Sequence, residues 1–589
     1  MATCAEADDT PDNKEVVVAI DFGTTYSGYA LAYQKDYTHD RHTLHINGCD
    51  FKSGYSLKAP TCILFNTQGQ FHSFGFDAEN MYAELTSTDE HTGWYYFRRF
   101  KMMLYNNPSI SHHSTLQDYT GKTMNAITVF SAIILHLRQE TVRKMRERSV
   151  GAGIQDDKIH WVLTVPAIWS DQAKQFMRES AKRAGIRSEQ LDIALEPEAA
   201  SIYCKHMSVN RREQQDDGVG LETIRPGTKY MVLDAGGGTI DITVQQVQDD
   251  GSLHQVYMAN GGDWGGTKVD KAFETLLIEL VGQKVWDAFK IAYMDSYIEI
   301  FREFETKKRT ITPDTVARIT FKVPITLRDI YEEMKEDNLS TFRPEGGGDR
   351  KLYWKGDKLR VDAALAKNLF EETCETILKH VSGVFEEEEG TGTSIILMVG
   401  GFSESPMLRH AVKERFGRTR RIIIPEEAGL SVLKGAVLFG FDSKLISRRV
   451  MKHTYGIQTS RQFRKGLDPD ATKTMIKGRL YCEDRFSKHT GKGQSVTVDE
   501  ETDPIEYNPL DDRQKMVMKV YITDKCDPEY CDADLCSYIG KMLVSLPMDV
   551  PMCERGVTVR MKFGGTELSV RATVMATKQM THAEFNLLE

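Results

Sequence analysis

Apolar residues follow two patterns along this chain, and the change between them falls near residue 445. Before it, short apolar runs such as VVVAI (16–20), WVLTV (161–165), YMVL (230–233) and IILMV (395–399) stand between stretches of helical spacing. A run without alternation suits a strand covered on both faces, as in a sheet flanked by helices. Helical patterns over 171–184 and 406–416 follow two of these runs, the first after Pro166 and the second after Gly400-Gly401. After residue 445, strict alternation takes over. Val557, Val559, Met561 and Phe563 alternate with Thr558, Arg560 and Lys562; Gly564-Gly565 marks a turn, and Leu568, Val570, Ala572 and Val574 resume the period. That predicts a half-buried antiparallel hairpin, and 515–522 reads the same way.

Two distant segments share one plan. Residues 15–33 read EVVVAIDFGTTYSGYALAY and residues 229–247 read KYMVLDAGGGTIDITVQQV. Each is an apolar run, an aspartate, a Gly/Thr turn and a second β-rich run, which predicts a hairpin. Each is followed by a further strand and by a short acidic helix start, EPEAA at 196–200 and PEEA at 425–428. A repeat this long is no solenoid unit. It predicts two α/β lobes facing each other across a cleft, where ligands usually bind. The expected organisation is an acidic, disordered N-terminus (1–14), a two-lobed nucleotide-binding domain (15–441), a charged linker (442–452), a β-domain (453–580) and a tail (581–589), with 208–227 and 337–350 as surface insertions.

Composition narrows the classes. A net charge of −10 argues against a broad nucleic-acid surface, which needs clustered Lys and Arg. The first residues lack an apolar signal core, and no run reaches the ~20 residues of a membrane span. The ten scattered cysteines suit a reducing compartment, the cytoplasm with the nucleus also open. Cys526, Cys531 and Cys536 are spaced too widely for a zinc knuckle and have no nearby His, so they read as ordinary side chains.

Phosphates need backbone N–H donors at close range, and glycine lets a turn approach without a Cβ. Gly23-Thr24-Thr25-Tyr26 and Gly236-Gly237-Gly238-Thr239 each offer such a turn, with hydroxyls that add bonds. One Gly-rich turn is weak evidence; two matching ones, each preceded by Asp at a strand end, are far more specific. Asp21 and Asp234 are expected to face each other at the cleft floor, where one or two carboxylates hold a hydrated Mg²⁺ beside the phosphates. Asp241, on the second strand of its hairpin, is placed to orient a water.

The stretches AIDFGTTYSG, LTVPAIW, EPEAA, VLDAGGGTIDI, GGDWGGTKVD, ETKKRTIT and LMVGGFSESP, in this order from about residue 16 to 440, resemble the 70-kDa heat-shock chaperones of the actin–hexokinase superfamily, most of all their divergent "12" branch. The resemblance implies a two-lobed actin-like ATPase with duplicated ribonuclease-H-like lobes, then a C-terminal β-sandwich that takes a polypeptide client or a dedicated protein partner. It implies ATP/ADP and Mg²⁺ as cofactors, with K⁺ as a candidate second ion. Asp21 and Asp234 would hold the metal through water. Lys101, Glu196, Asp234, Thr239 and Asp241 would carry catalysis, Lys101 lying near the γ-phosphate. Nucleotide contacts would come from Gly23, Thr24, Thr25, Tyr26, Gly236, Gly237, Gly238, Thr239, Gly265, Gly266, Gly400, Gly401, Phe402 and Glu404, with Glu305, Lys308, Arg309 and Thr312 at the adenosine. Pro166 matches a proline that relays nucleotide state.

Three departures qualify the resemblance. Glu404 stands where the family has an arginine stacking on adenine, which removes a cation–π contribution of about 0.5–2 kcal/mol. Thr267 replaces an acidic residue after Gly265-Gly266. The linker is basic where the family's is an apolar strand, so it is not expected to dock on the lobes in the same manner, and the sequence leaves no room for a helical lid. Three functions remain open: a slowly ATP-hydrolysing chaperone or chaperone-derived switch, a nucleotide-gated binding or signalling module with little or no hydrolysis, and a metabolite kinase of the same superfamily. The kinase reading gives the β-domain no use and ranks last.

Overall fold

The computed structural model describes residues 14–41, 43–47, 49–51, 54–148, 153–206, 225–336, 352–532, 534–563, 568–585 and 587–588. Most of the expected acidic N-terminus, most of the two surface insertions and the Gly564-Gly565 turn lie outside them.

Both expected hairpins form. Val16–Phe22 pairs antiparallel with Tyr26–Tyr33, and Lys229–Ala235 with Ile240–Val247. Every residue of Val16–Phe22 is buried, as an unalternating apolar run requires. Each hairpin sits in a sheet of the same plan. In the first, the order Leu191–Leu195, Ile159–Val165, Val16–Phe22, Tyr26–Tyr33, His45–Asn47 runs through two parallel and then two antiparallel pairings. In the second, Arg421–Ile423, Ile395–Val399, Lys229–Ala235, Ile240–Val247 and Leu253–Gly262 repeat that sequence of pairings. The duplicated motif is thus a duplicated topology, that of an actin-like ATPase. Helices such as Asp171–Arg183, capped by the Ser170 hydroxyl on the Ala173 amide, cover the sheets.

The basic linker is not expected to dock on the lobes in the manner of the family's apolar strand. Instead Ile446–Val450 adds to the second sheet as a strand parallel to Leu253–Gly262, and Ser495–Thr497 then pairs on its outer edge. The reason is electrical. Arg449 is 7% exposed and forms a bidentate ion pair with Glu198, Nε to Oε1 at 2.8 Å and Nη2 to Oε2 at 2.6 Å. A cation enters the interface because a buried carboxylate meets it with matched geometry.

Beyond the linker, a five-stranded and a four-stranded antiparallel sheet share one core. Ile457, Val520 and Val544 face it from one side, and Val557, Val559, Met561, Val570, Ala572 and Val574 from the other. The expected alternation is obeyed, with Val557–Lys562 alternately buried and half-buried. The expected tail is structured too. Met580–Glu584 is a strand on Ser569–Val574, and Leu588 is buried in the core of the first lobe, where Gln175 bonds the Phe585 carbonyl and the Leu587 amide. An apolar residue near the end of the chain found a site that period-2 patterning cannot reveal. Among the described residues, no helix is long and apolar enough to cross a membrane.

Burial also shapes a titration in this region. His489 has Nε2 2.9 Å from the Tyr507 hydroxyl, and burial lowers its pKa to about 4. Between pH 4 and 6.5 the unfolded chain therefore binds a proton that the fold refuses. Stability is fully present above pH 6.5 and falls as pH drops towards 4, by about 3 kcal/mol over the whole window. Urea midpoints of the wild type should fall over that range, and those of His489→Gln should fall less; parallel slopes would contradict the assignment.

Candidate functional site

The two hairpins meet at a cleft of about 610 Å³, within the size of small-ligand sites. Register puts Asp21 opposite Gly28 and Asp234 opposite Asp241, so each hairpin carries a carboxylate at the strand end next to its turn. The Gly236–Gly238 turn is held from behind: its three carbonyls accept from the Gly266, Thr267 and Gly265 amides at 3.1, 2.8 and 3.1 Å. With the carbonyls engaged there, the negative ends of these peptides are tied to protein rather than left for an anion. The turns approach closely enough that a Cβ at Gly237 would collide with Thr25 and one at Gly238 with Thr24 and Met102. Gly400 has φ +84°, and a Cβ there would meet Asp234 and the Ala235 carbonyl.

Of the residues expected in the site, the cleft is lined by Asp21, Gly23, Thr24, Thr25, Tyr26, Lys101, Glu196, Asp234, Gly236, Gly237, Gly238, Thr239, Glu305, Arg309, Gly400, Gly401 and Glu404. The others lie off the lining. Gly265 and Gly266 support the turn, and Gly266 packs near Phe402. Lys308 bonds Asp270 at 2.6 Å, and Thr312 bonds Thr315 within its own turn. Asp241 is 1% exposed and accepts the Ile168 amide at 2.9 Å.

Electrostatics divide the floor into two occupied carboxylates and one open one. Lys101, expected near the γ-phosphate, is 2% exposed; its Nζ lies 2.9 Å from Glu196 Oε1 and 4.9 Å from the centre of the Trp169 ring. Burial pushes the Glu196 pKa up to about 7, with Asp21 and Asp241 adding to the rise and Lys101 opposing it. Burial would also raise Asp21, but Lys58 at 2.6 Å, Lys101 and the Thr164 hydroxyl at 3.0 Å together hold it below the usual range. Among the described residues no cation is paired with Asp234, and Lys58 only partly offsets its rise. Burial, then Glu196, Asp241 and Asp21, drive its pKa well above an ordinary carboxylate, and its Oδ2 is buried without a hydrogen-bond partner among the described residues. A divalent cation fits this set: an orphaned carboxylate oxygen among mutually repelling acids, beside a glycine cradle shaped for phosphate.

The lobes also clasp across the cleft. Arg99 meets Asp270 at 2.5 Å, which places the acidic contact three residues after Thr267. Arg302 pairs with Glu79 at 2.8 and 3.0 Å. At the end of the cleft where the sequence places the adenosine contacts, Arg309 bonds Glu305 at 2.7 Å and lies 6.0 Å from the Tyr26 ring centre, while Glu404 accepts the Gly429 amide at 3.0 Å. Sequence reasoning missed Lys58, Thr164, Trp169 and the Arg99–Asp270 pair. Thr164 and Trp169 lie inside the quoted LTVPAIW stretch, so a signal existed; Lys58 and Arg99 had none.

A two-lobed actin-like ATPase fold with paired phosphate turns defines the class, and this chain belongs to the Hsp70 family. The Hsp70 protein family model matches residues 100–336. The chain is similar to human heat shock 70 kDa protein 12B, at 32% identity over 627 aligned positions covering 97% of this chain and 91% of the relative. It is similar also to heat shock 70 kDa protein 12A of human and mouse, each at 31% identity over the same shares. Membership places it among ATP-binding, chaperone-like proteins.

Proposed function

We propose that this chain is an ATP-driven, slowly hydrolysing switch of the chaperone type, whose two C-terminal sheets form a β-sandwich that binds extended polypeptide or a dedicated partner. The observation that carries the nucleotide half is the pair of glycine turns closing on each other, with Asp21 and Asp234 beside them in a cleft of about 610 Å³. The turns cradle the phosphates; Thr24, Thr25 and Thr239 add hydroxyl donors. Asp21 and Asp234 would hold Mg²⁺ through its waters, and the ion would supply charge neutralisation at the phosphate oxygens. Lys101 stabilises charge on the transferred phosphoryl group while Glu196, near neutrality in pKa, orients the attacking water. There is little covalent work for the protein in such a transfer, so positioning carries most of it.

One observation favours a second reading, a nucleotide-gated binding module with little hydrolysis. Both Asp21 and Glu196 are engaged by lysines, which occupy groups that would otherwise orient water or metal. Calorimetric titration with ATP, ADP and GTP tests the part common to both. ATP and ADP are expected to bind, with GTP weaker; absence of heat for all three would sink the nucleotide reading. Equal binding of ATP and GTP would show that Glu404 and Arg309 do not select adenine.

A further inference from the structure

Lys58 is built into the cleft floor by a segment that carries no phosphate motif. The two residues after it, Ala59 and Pro60, pair with Ser27 and Tyr26 of the first hairpin, which fixes the backbone beside the turn. Its stem lies over Gly28, the residue opposite Asp21 in that hairpin; a Cβ on Gly28 would stand 2.9 Å from Lys58 Cγ and 3.0 Å from the Leu57 carbonyl oxygen. Glycine there makes the room the lysine occupies. The ammonium donates to Asp21 Oδ2 at 2.6 Å and to the Gly429 carbonyl at 2.7 Å. Gly429 is itself fixed by Glu404, and the neighbouring Ala428 carbonyl accepts from Gly400 at 2.9 Å. An ammonium has three donors. Two are used, the third has no protein acceptor among the described residues, and Lys58 lines the cleft.

The carboxyls of Asp21, Glu196 and Asp234 on this floor, with Asp241 buried beside them, repel one another, and an incoming di- or triphosphate adds further negative charge. From these contacts we infer that Lys58 is a resident cation of the phosphate site, donating its third N–H to the nucleotide and sharing the neutralising work with the divalent metal. The inference rests on the nucleotide reading above. Its consequence is that removing divalent metal costs this chain less nucleotide affinity than it would without Lys58.

The test titrates the full chain with ADP in excess Mg²⁺ and again in EDTA, for wild type, Lys58→Met and Lys58→Arg. A charge-assisted hydrogen bond to phosphate is worth about 10–100-fold in affinity, so chelation should weaken Lys58→Met by about that factor more than wild type. Lys58→Arg keeps the charge and should follow wild type, a comparison that stands if the methionine variant does not fold. Equal losses on chelation in wild type and Lys58→Met would overturn the inference while leaving the nucleotide reading intact. Tighter ADP binding by Lys58→Met would overturn it too, because Lys58 would then be an obstruction. No binding by wild type in either buffer would remove the nucleotide reading and this inference together.

Discussion

Lys101→Met should slow single-turnover ATP hydrolysis by about 10²–10³-fold, the usual cost of removing one preorganised charge at a developing oxyanion. The lysine is buried, held between Glu196 at 2.9 Å and the Trp169 ring at 4.9 Å, and faces the cleft. That geometry is preorganisation: the ammonium needs no rearrangement to meet a phosphoryl oxygen. Removing it also strips Glu196 of its opposing charge, so the carboxyl, already pushed up to about 7 by burial, becomes protonated at neutral pH and a poor acceptor for water. Both effects act on the rate, whereas the glycine turns are left in place. Nucleotide affinity, measured by calorimetry on the same protein, should therefore change far less than the rate. Asp241→Ala is the companion variant. Wild type, Lys101→Met and Asp241→Ala all turning over at the rate of buffer would end the enzyme reading and leave the gated binding module.

Arg449→Met should destabilise the docked linker by about 3–5 kcal/mol, because it leaves the Glu198 carboxylate buried with its main partner gone. The side chains of the pair are 9% and 2% exposed, so solvent screening offers little relief. Hydrogen exchange is the suitable readout, since a chain with several cores need not unfold in two states. Amides of Ile446–Val450 should exchange much faster in the variant, while those of Val16–Phe22 should keep their protection. Adding Glu198→Gln to Arg449→Met should recover most of the loss, as replacing both partners removes the stranded charge. Unchanged exchange in the single variant would mean the strand is held by its backbone ladder and by Ile446 alone.

How far the chain could be read follows the range of the interactions. The hairpins 16–33 and 229–247, the helix 406–416 and the alternation at 557–563 depend on neighbours in sequence, and periodicity exposes them. The site residues within those hairpins were legible for the same reason, because glycine and aspartate at a strand end mark both turn and ligand. What escaped was charge pairing over distance. Arg449 and Glu198 lie 251 positions apart, and Lys58 lies 37 from Asp21. A basic linker looks undockable until the buried acid that receives it is known, and a lysine without a motif looks like surface until the glycine beneath it is seen. Lys308 is the converse case. It lies in a matched motif, yet its ammonium is shared between Asp270 at 2.6 Å and Glu305 at 2.5 Å.

Ile168 joins the cleft floor to the linker through one residue. Its amide donates to Asp241 at 2.9 Å, and its carbonyl accepts the Lys452 ammonium at 2.6 Å. Those two groups belong to adjacent rigid peptide planes that share a single Cα, so the backbone between them has only φ and ψ of one residue as soft motions. That residue is β-branched, 7% exposed and restricted in its side-chain rotamers. A mechanical train this short has almost no backlash. A tilt of the first plane passes through those two angles to the Lys452 ammonium, and the lysine's own side-chain torsions are the next soft element on the way to the linker.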